Sequence, residues 1–206
     1  MSLRCARILV IGGMCIAAMS WAVPARAQRG GGGGGRSMGG SPEGRGSKTQ
    51  FDDKSLGVRF AVPPGLDLFT PSAPGRYRSA FTERKIALLV NPRQVEDTIS
   101  VKYADGMTAA DLKAYQVVLE SNPPQAKLPG YEKVSITAGK VGKEVAEESV
   151  DFIYRATQNG EALTYRQVVF VHGGRGFTVA CATRTKDFGT ANREWFDSLL
   201  KHLELY

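Results

Sequence analysis

Cysteine and histidine are scarce in this 206-residue chain, with three of the first and two of the second. Cys5 and Cys15 lie near the start, so Cys181 stands alone over the remainder. One cysteine makes no internal disulfide, and stability must therefore come from a hydrophobic core. With only His172 and His202, and no HExxH or paired-cysteine spacing, the zinc patterns are missing. No metal or cofactor is expected. The G-x-S-x-G pattern occurs only at Gly35 to Gly39, inside the glycine-rich stretch, where it lacks the strand and helix of a nucleophile elbow, which leaves "HGGRG" at His172 to Gly176 as a turn rather than the oxyanion loop of a hydrolase. No apolar run reaches the roughly 20 residues that a membrane-spanning helix needs.

Fragments of other catalytic motifs fail on context. Asp187-Phe188-Gly189 spells the kinase DFG, but the chain has no HRD-type loop and reads here as a helix start. The glycines Gly30 to Gly35 lack the lysine, strand and helix of a phosphate loop. Adjacent acids at Asp52-Asp53, Glu96-Asp97 and Glu147-Glu148 point to opposite faces of a strand, so they read as solvated surface rather than as acid/base pairs. Cys181 shares a strand face with Phe177 and Val179 in "GFTVACATR". No basic cluster adjoins it in sequence to lower its pKa, and it reads as a small buried hydrophobe.

What is present begins with an export pattern. "MSLRCAR" carries two arginines and no acid, "ILVIGGMCIAAMSWAV" is a sixteen-residue uncharged run, and "PARA" ends in the small-x-small pattern Ala25-Arg26-Ala27. That layout predicts a secretory signal over residues 1–27, cut between Ala27 and Gln28. The expected location is outside the cytoplasm, in a bacterial periplasm or secreted. Residues 28–50 then read as a glycine-rich tether, because glycine loses the most backbone entropy on ordering and nothing apolar here offsets that loss. Its random-coil span is about 25 Å. Its arginines allow peripheral contact with an acidic surface such as lipid headgroups, an effect that salt would screen.

Charge divides along the same boundaries. The whole chain is +7, from 27 basic and 20 acidic residues. The predicted signal holds three arginines and no acid, and the tether holds four basic residues against Glu43. Residues 51–206 are left at +1, too near neutral to argue for nucleic acid as a partner.

From Phe51 the pattern is that of one globular domain without internal repeats. "GVRFAVPPG" alternates Val58, Phe60 and Val62 before two prolines stop it, which predicts a strand. "KIALLVNP" and "TISVKYA" predict a hairpin across "NPRQVED". "MTAADLKAYQVVLESNPP" predicts a helix: Thr108 and Asp111 form a capping-box pattern, and Leu112, Tyr115 and Leu119 fall on one stripe. Four antiparallel strands follow, "YEKVSITA", "AEESVDFIYRA", "LTYRQVVFV" and "FTVACATR", with Asn159-Gly160 marking the hairpin between the second and third. "FGTANREWFDSLLKHLEL" predicts a closing helix that buries Trp195, Phe196, Leu199, Leu200 and Leu203, with Asp197 and Lys201 paired on its other face. The fold class is α+β.

That element order, with an early strand ending in "VPPG", a hairpin, one helix, a meander through "NG", and "GFTVACATRTKDF" leading into "WFDSLLKHLEL", resembles the PsbP-like superfamily. The group spans photosystem PsbP, the Mog family, and bacterial DcrB and LpqN-type envelope proteins. The resemblance covers residues 51–206 and implies a central antiparallel sheet of about six to seven strands flanked by helices. It also implies binding or assembly rather than catalysis. It carries over no site residue, and the bacterial-looking signal departs from the photosystem setting.

One cluster stands out against the neutral domain. Arg76, Arg78, Arg84, Lys85 and Arg93 lie within "RYRSAFTERKIALLVNPR", opposed only by Glu83 and interleaved with Tyr77 and Phe81. This is a candidate surface for an anionic partner, although solvated strand ends account for it too. The expected function is non-catalytic: an exported envelope protein that binds or helps assemble another protein or an anionic envelope component. A small-ligand carrier with an apolar pocket between sheet and helices is the first alternative. An enzyme with a composite site is the second. It would require buried convergent carboxylates, or His172 within reach of an acid and a hydroxyl.

Overall fold

The computed structural model describes residues 49–70 and 84–206. Ala25, Ala27, Gln28, nearly all of the tether, Arg76 and Arg78 lie outside the described residues. The elements in chain order are β1 (Gln50–Asp53), β2 (Val58–Ala61), β3 (Asp67–Phe69), β4 (Arg84–Asn91) and β5 (Gln94–Asp105). Helix α1 (Ala109–Ser121) and a short 3-10 turn (Pro124–Lys127) follow. Then come β6 (Glu132–Val141), β7 (Glu147–Gln158), β8 (Glu161–His172) and β9 (Arg175–Arg184). The closing helix α2 runs in three consecutive pieces, Phe188–Ala191, the π turn Asn192–Phe196 and Asp197–Lys201, and the two-residue strand β10 (Glu204–Leu205) ends the chain.

Seven strands form one sheet in the order β3-β4-β5-β9-β8-β7-β6, every neighbour antiparallel. The β7–β8 hairpin turns on Asn159 and Gly160 at φ 52° and 83°, the two positive values that a type I′ turn requires. The β8–β9 turn places Gly173 and Gly174 at φ 55° and 73°, so "HGGRG" is the reversal its glycines predict. A second sheet, β1-β2-β10, pairs Leu205 with Val58 and Glu204 with Arg59.

Each face of the large sheet has its own core. On one, α1 lays Leu112, Tyr115 and Leu119 onto Val150, Phe152, Tyr154 and Tyr165 of β7 and β8. Tyr154 stacks on both Phe152 and Tyr165 at ring separations of 4.9 Å. Thr108 caps α1 as predicted: its hydroxyl accepts from the Asp111 amide at 3.3 Å, and the Asp111 carboxylate accepts from the Thr108 amide at 2.9 Å. On the opposite face, Ile99, Val101, Val179, Cys181 and Phe170 meet the small sheet through Val58, Phe60 and Leu205, and meet α2 through Phe196 and Leu199. Cys181 is buried and free, and burial pushes its thiol up to about 12.

Candidate functional site

A cleft of about 320 Å³ opens on the α2 side of the large sheet. Its floor follows from strand register. Thr137 of β6, Asp151 of β7 and Val168 of β8 stand side by side, and Gly139 of β6 neighbours Ser149 of β7. Alternation sends all of these to the face away from α1. Leu200 and Lys201 of α2 form the wall, and Arg166 of β8 extends the floor toward the helix.

Arg166 organises the polar part. Its Nε donates to both carboxylate oxygens of Asp151 at 3.1 and 3.0 Å, and its Nη2 donates to Oδ2 at 2.6 Å. Nη1 reaches across to α2, donating to Asn192 Oδ1 at 2.7 Å and Asp197 Oδ1 at 2.5 Å. The guanidinium lies 5.0 Å from the Phe196 ring centroid, so it joins charge pairing to aromatic stacking. Burial opposes its charge, but bonds to Asp151 and Asp197 outweigh that and hold the guanidinium pKa above its usual value. Arg166 is the anchor that fastens α2 to the sheet. The expected Asp197–Lys201 pair gives way to it: at 15% side-chain exposure, Arg166 offers Asp197 a less hydrated partner than a surface lysine does.

Three solved structures share the fold. Cyanobacterial PsbP from Synechocystis sp. PCC 6803 matches at a TM-score of 0.54 and 18% identity, covering 83% of this chain and 98% of that one. LpqN, involved in cell envelope biogenesis of Mycobacterium tuberculosis, matches at 0.53 and 15% identity, covering 72% of this chain and 82% of that one. A Bacteroides thetaiotaomicron protein matches at 0.52 and 12% identity over 78% of this chain, which spans about half (49%) of that protein. The chain has a PsbP-like fold. At these identities the likeness concerns fold alone. No protein-family model and no curated protein matches the sequence.

Within the PsbP-like fold, the three candidate basic residues that are described, Arg84, Lys85 and Arg93, run along β4 and the turn after it. Arg84 at its start donates from Nη1 to the Tyr103 hydroxyl at 3.1 Å and lies 5.8 Å from that ring's centroid. Lys85 follows, its side chain half-buried, and Arg93 sits exposed in the turn after the strand. Nine residues of extended chain separate Arg84 from Arg93 by about 30 Å, so the strand does not bring these two together.

The acidic pairs divide in a way that local alternation does not foresee. Asp97 is 3% exposed rather than solvated: Thr183 donates to it at 2.5 Å and Asn91 at 3.3 Å. Glu147 lies 2.9 Å from His172 Nδ1, while His172 Nε2 faces the backbone oxygen of Tyr206 at 3.5 Å rather than a hydroxyl. The convergent carboxylates are Asp151 and Asp197, which come from different parts of the chain and are joined through Arg166. Sequence reading missed this trio. A lone arginine at an alternating strand position was its only local trace. Among the described residues, no group of three or more His, Cys, Asp or Glu could hold a metal ion, and no helix is long and apolar enough to cross a membrane.

Proposed function

We propose that this chain is an exported, non-catalytic envelope protein of a bacterium, whose PsbP-like domain binds or helps assemble another protein or an envelope component. The Arg166 network carries the reading. General acid/base or nucleophilic work needs a polar group left poised and incompletely satisfied. Here the acids that converge are spent on one guanidinium, which is itself committed to Asp151, Asn192 and Asp197. What the arrangement offers is a rigid surface beside an open cleft. The signal-like leader and basic glycine-rich tether favour a place at the envelope, and LpqN, with the same fold, is involved in cell envelope biogenesis.

The cleft also favours a second reading, a small-ligand carrier. Its lining mixes hydroxyl, carboxylate and ammonium groups with Val141, Val168 and Leu200, so the ligand would be polar rather than the apolar one that the sequence suggests. Expression of the tagged full precursor in a bacterial host, followed by fractionation, N-terminal sequencing and low-salt crosslinking, separates these. A mature species starting at Gln28 with a reproducible protein partner is the expected result. A chain that keeps its N-terminus and stays in membranes overturns the tether, and a partnerless released monomer favours the carrier.

A further inference from the structure

Strand β6 ends the large sheet, and no strand of the described residues pairs with its outer side. A ten-residue edge is long for one left open, since unpaired N–H and C=O groups invite an added strand. One part of it is guarded by an irregularity between Lys133 and Ser135. Beyond that, Ser135 to Val141 pairs with β7 in unbroken register, and Thr137, Ala138, Gly139 and Lys140 are exposed. The two faces of this segment differ. Ile136 and Ala138 lie on the α1 side beside Phe152 and Val150, while Thr137 and Gly139 border the cleft.

Gly139 makes the cleft reachable from the edge. Its φ is not in the left-handed region, so the backbone does not demand glycine, and a Cβ there would only touch Ser149 Oγ at 3.5 Å. The missing side chain leaves a gap instead. Behind it, Ser149 is 5% exposed and lines the cleft. Nearby cations are taken: Lys140 by Glu148, Lys143 by Glu204, and Arg166 by Asp151 and Asp197. Lys201, on the cleft wall, has no ion pair among the described residues.

We propose that the β6 edge over residues 135–141 receives an extended segment of a partner protein as an added strand, and that an acidic side chain of that segment crosses Gly139 to meet Ser149 and Lys201. Backbone bonds supply the affinity, apolar residues beside Ile136 and Ala138 seat the other face, and the unpaired ammonium selects the carboxylate. The inference rests on the binding reading above and names the chemistry of its partner.

The test pans a random peptide display library on the purified full chain. Enriched peptides are expected to carry an acidic residue among β-branched ones and to lack proline. Their binding should slow hydrogen exchange of amides within 135–141. Affinity should fall about tenfold or more in Gly139→Leu, which fills the gap, and in Lys201→Glu, while Val117→Glu on the exposed face of α1 leaves it unchanged. Circular dichroism checks folding, and Lys201→Glu decides the matter if Gly139→Leu does not fold. No enrichment, a basic consensus, protection elsewhere, or binding indifferent to both variants would overturn the site. Those outcomes leave the envelope reading standing, whereas failure of export in the fractionation would remove that reading without touching the peptide result.

Discussion

The two helices of this domain are held by different means. α1 carries its own instructions: a capping box at Thr108 and Asp111, then one buried stripe of Leu112, Tyr115 and Leu119. α2 has no side-chain cap, breaks into a π turn at Asn192–Phe196, and begins at Asp187, whose carboxylate is used elsewhere. That carboxylate accepts from Gln94 and Arg184, each at 3.0 Å, so it ties the start of β5 to the end of β9 instead of closing its own helix. α2 is therefore fixed by what surrounds it: Phe196 and Leu199 in the core, and Arg166 across the cleft. A helix specified locally can seal a face. One specified by tertiary contacts leaves room beside it, and the cleft lies along α2.

Breaking the α2 side at its core should have the largest effect. Phe196 is fully buried and forms the surface under Arg166, so Phe196→Ala should cost about 3–5 kcal/mol in urea unfolding. If α2 depends on its surroundings as argued, hydrogen exchange should also open at β10, which follows it. Protection kept at β10 would mean that the small sheet holds itself together. Next in size, Arg166→Met should cost about 2–3 kcal/mol, because Asp151, at 19% side-chain exposure, is left without its partner. A double variant that also changes Asp151→Leu should regain part of the loss, and strictly additive losses would show that the pair contributes no coupling.

The contrast between the helices also explains what could be read from the chain. α1 and the turns at Asn159-Gly160 and Gly173-Gly174 have signals within a few residues of one another and fall where pattern places them, while the β4–β5 hairpin forms with a tighter turn, β5 beginning at Gln94 inside the expected connection. β1 and β10, at four and two residues, are too short to show alternation and exist because β2 lies between them. The cleft is long-range: Asp151 lies 15 residues before Arg166 and Asp197 lies 31 after it. No window along the sequence holds all three. Asp97 misleads for a related reason, since its burial depends on Thr183, 86 residues away.

The helix starts offer the finer test. Removing the cap in Thr108→Ala should cost about 1 kcal/mol, seen in thermal melts as a lower midpoint with α1 amides exchanging faster. No matching fraying of α2 is expected from Asp187→Asn, because that carboxylate caps nothing.

The smallest effect expected concerns acid. The hydrogen bond from Gln94 lowers the Asp187 carboxyl pKa, helped by the charges of Arg184 and Lys186 and opposed by partial desolvation. The folded chain thus holds this proton less tightly than the unfolded chain does. Its contribution is present above the unfolded value, about pH 4, and is lost as pH falls through the lower folded value. Thermal midpoints of the native chain should therefore drop more steeply than those of Asp187→Asn as acid is added below about pH 4, with the gap between them narrowing. Because the group is exposed and its ion pair with Arg184 is screened by salt, the gap should shrink at high ionic strength. Parallel curves would mean that the tie between β5 and β9 rests on Gln94 as a neutral hydrogen bond, which asparagine can also make, and that α2 begins where it does through packing alone.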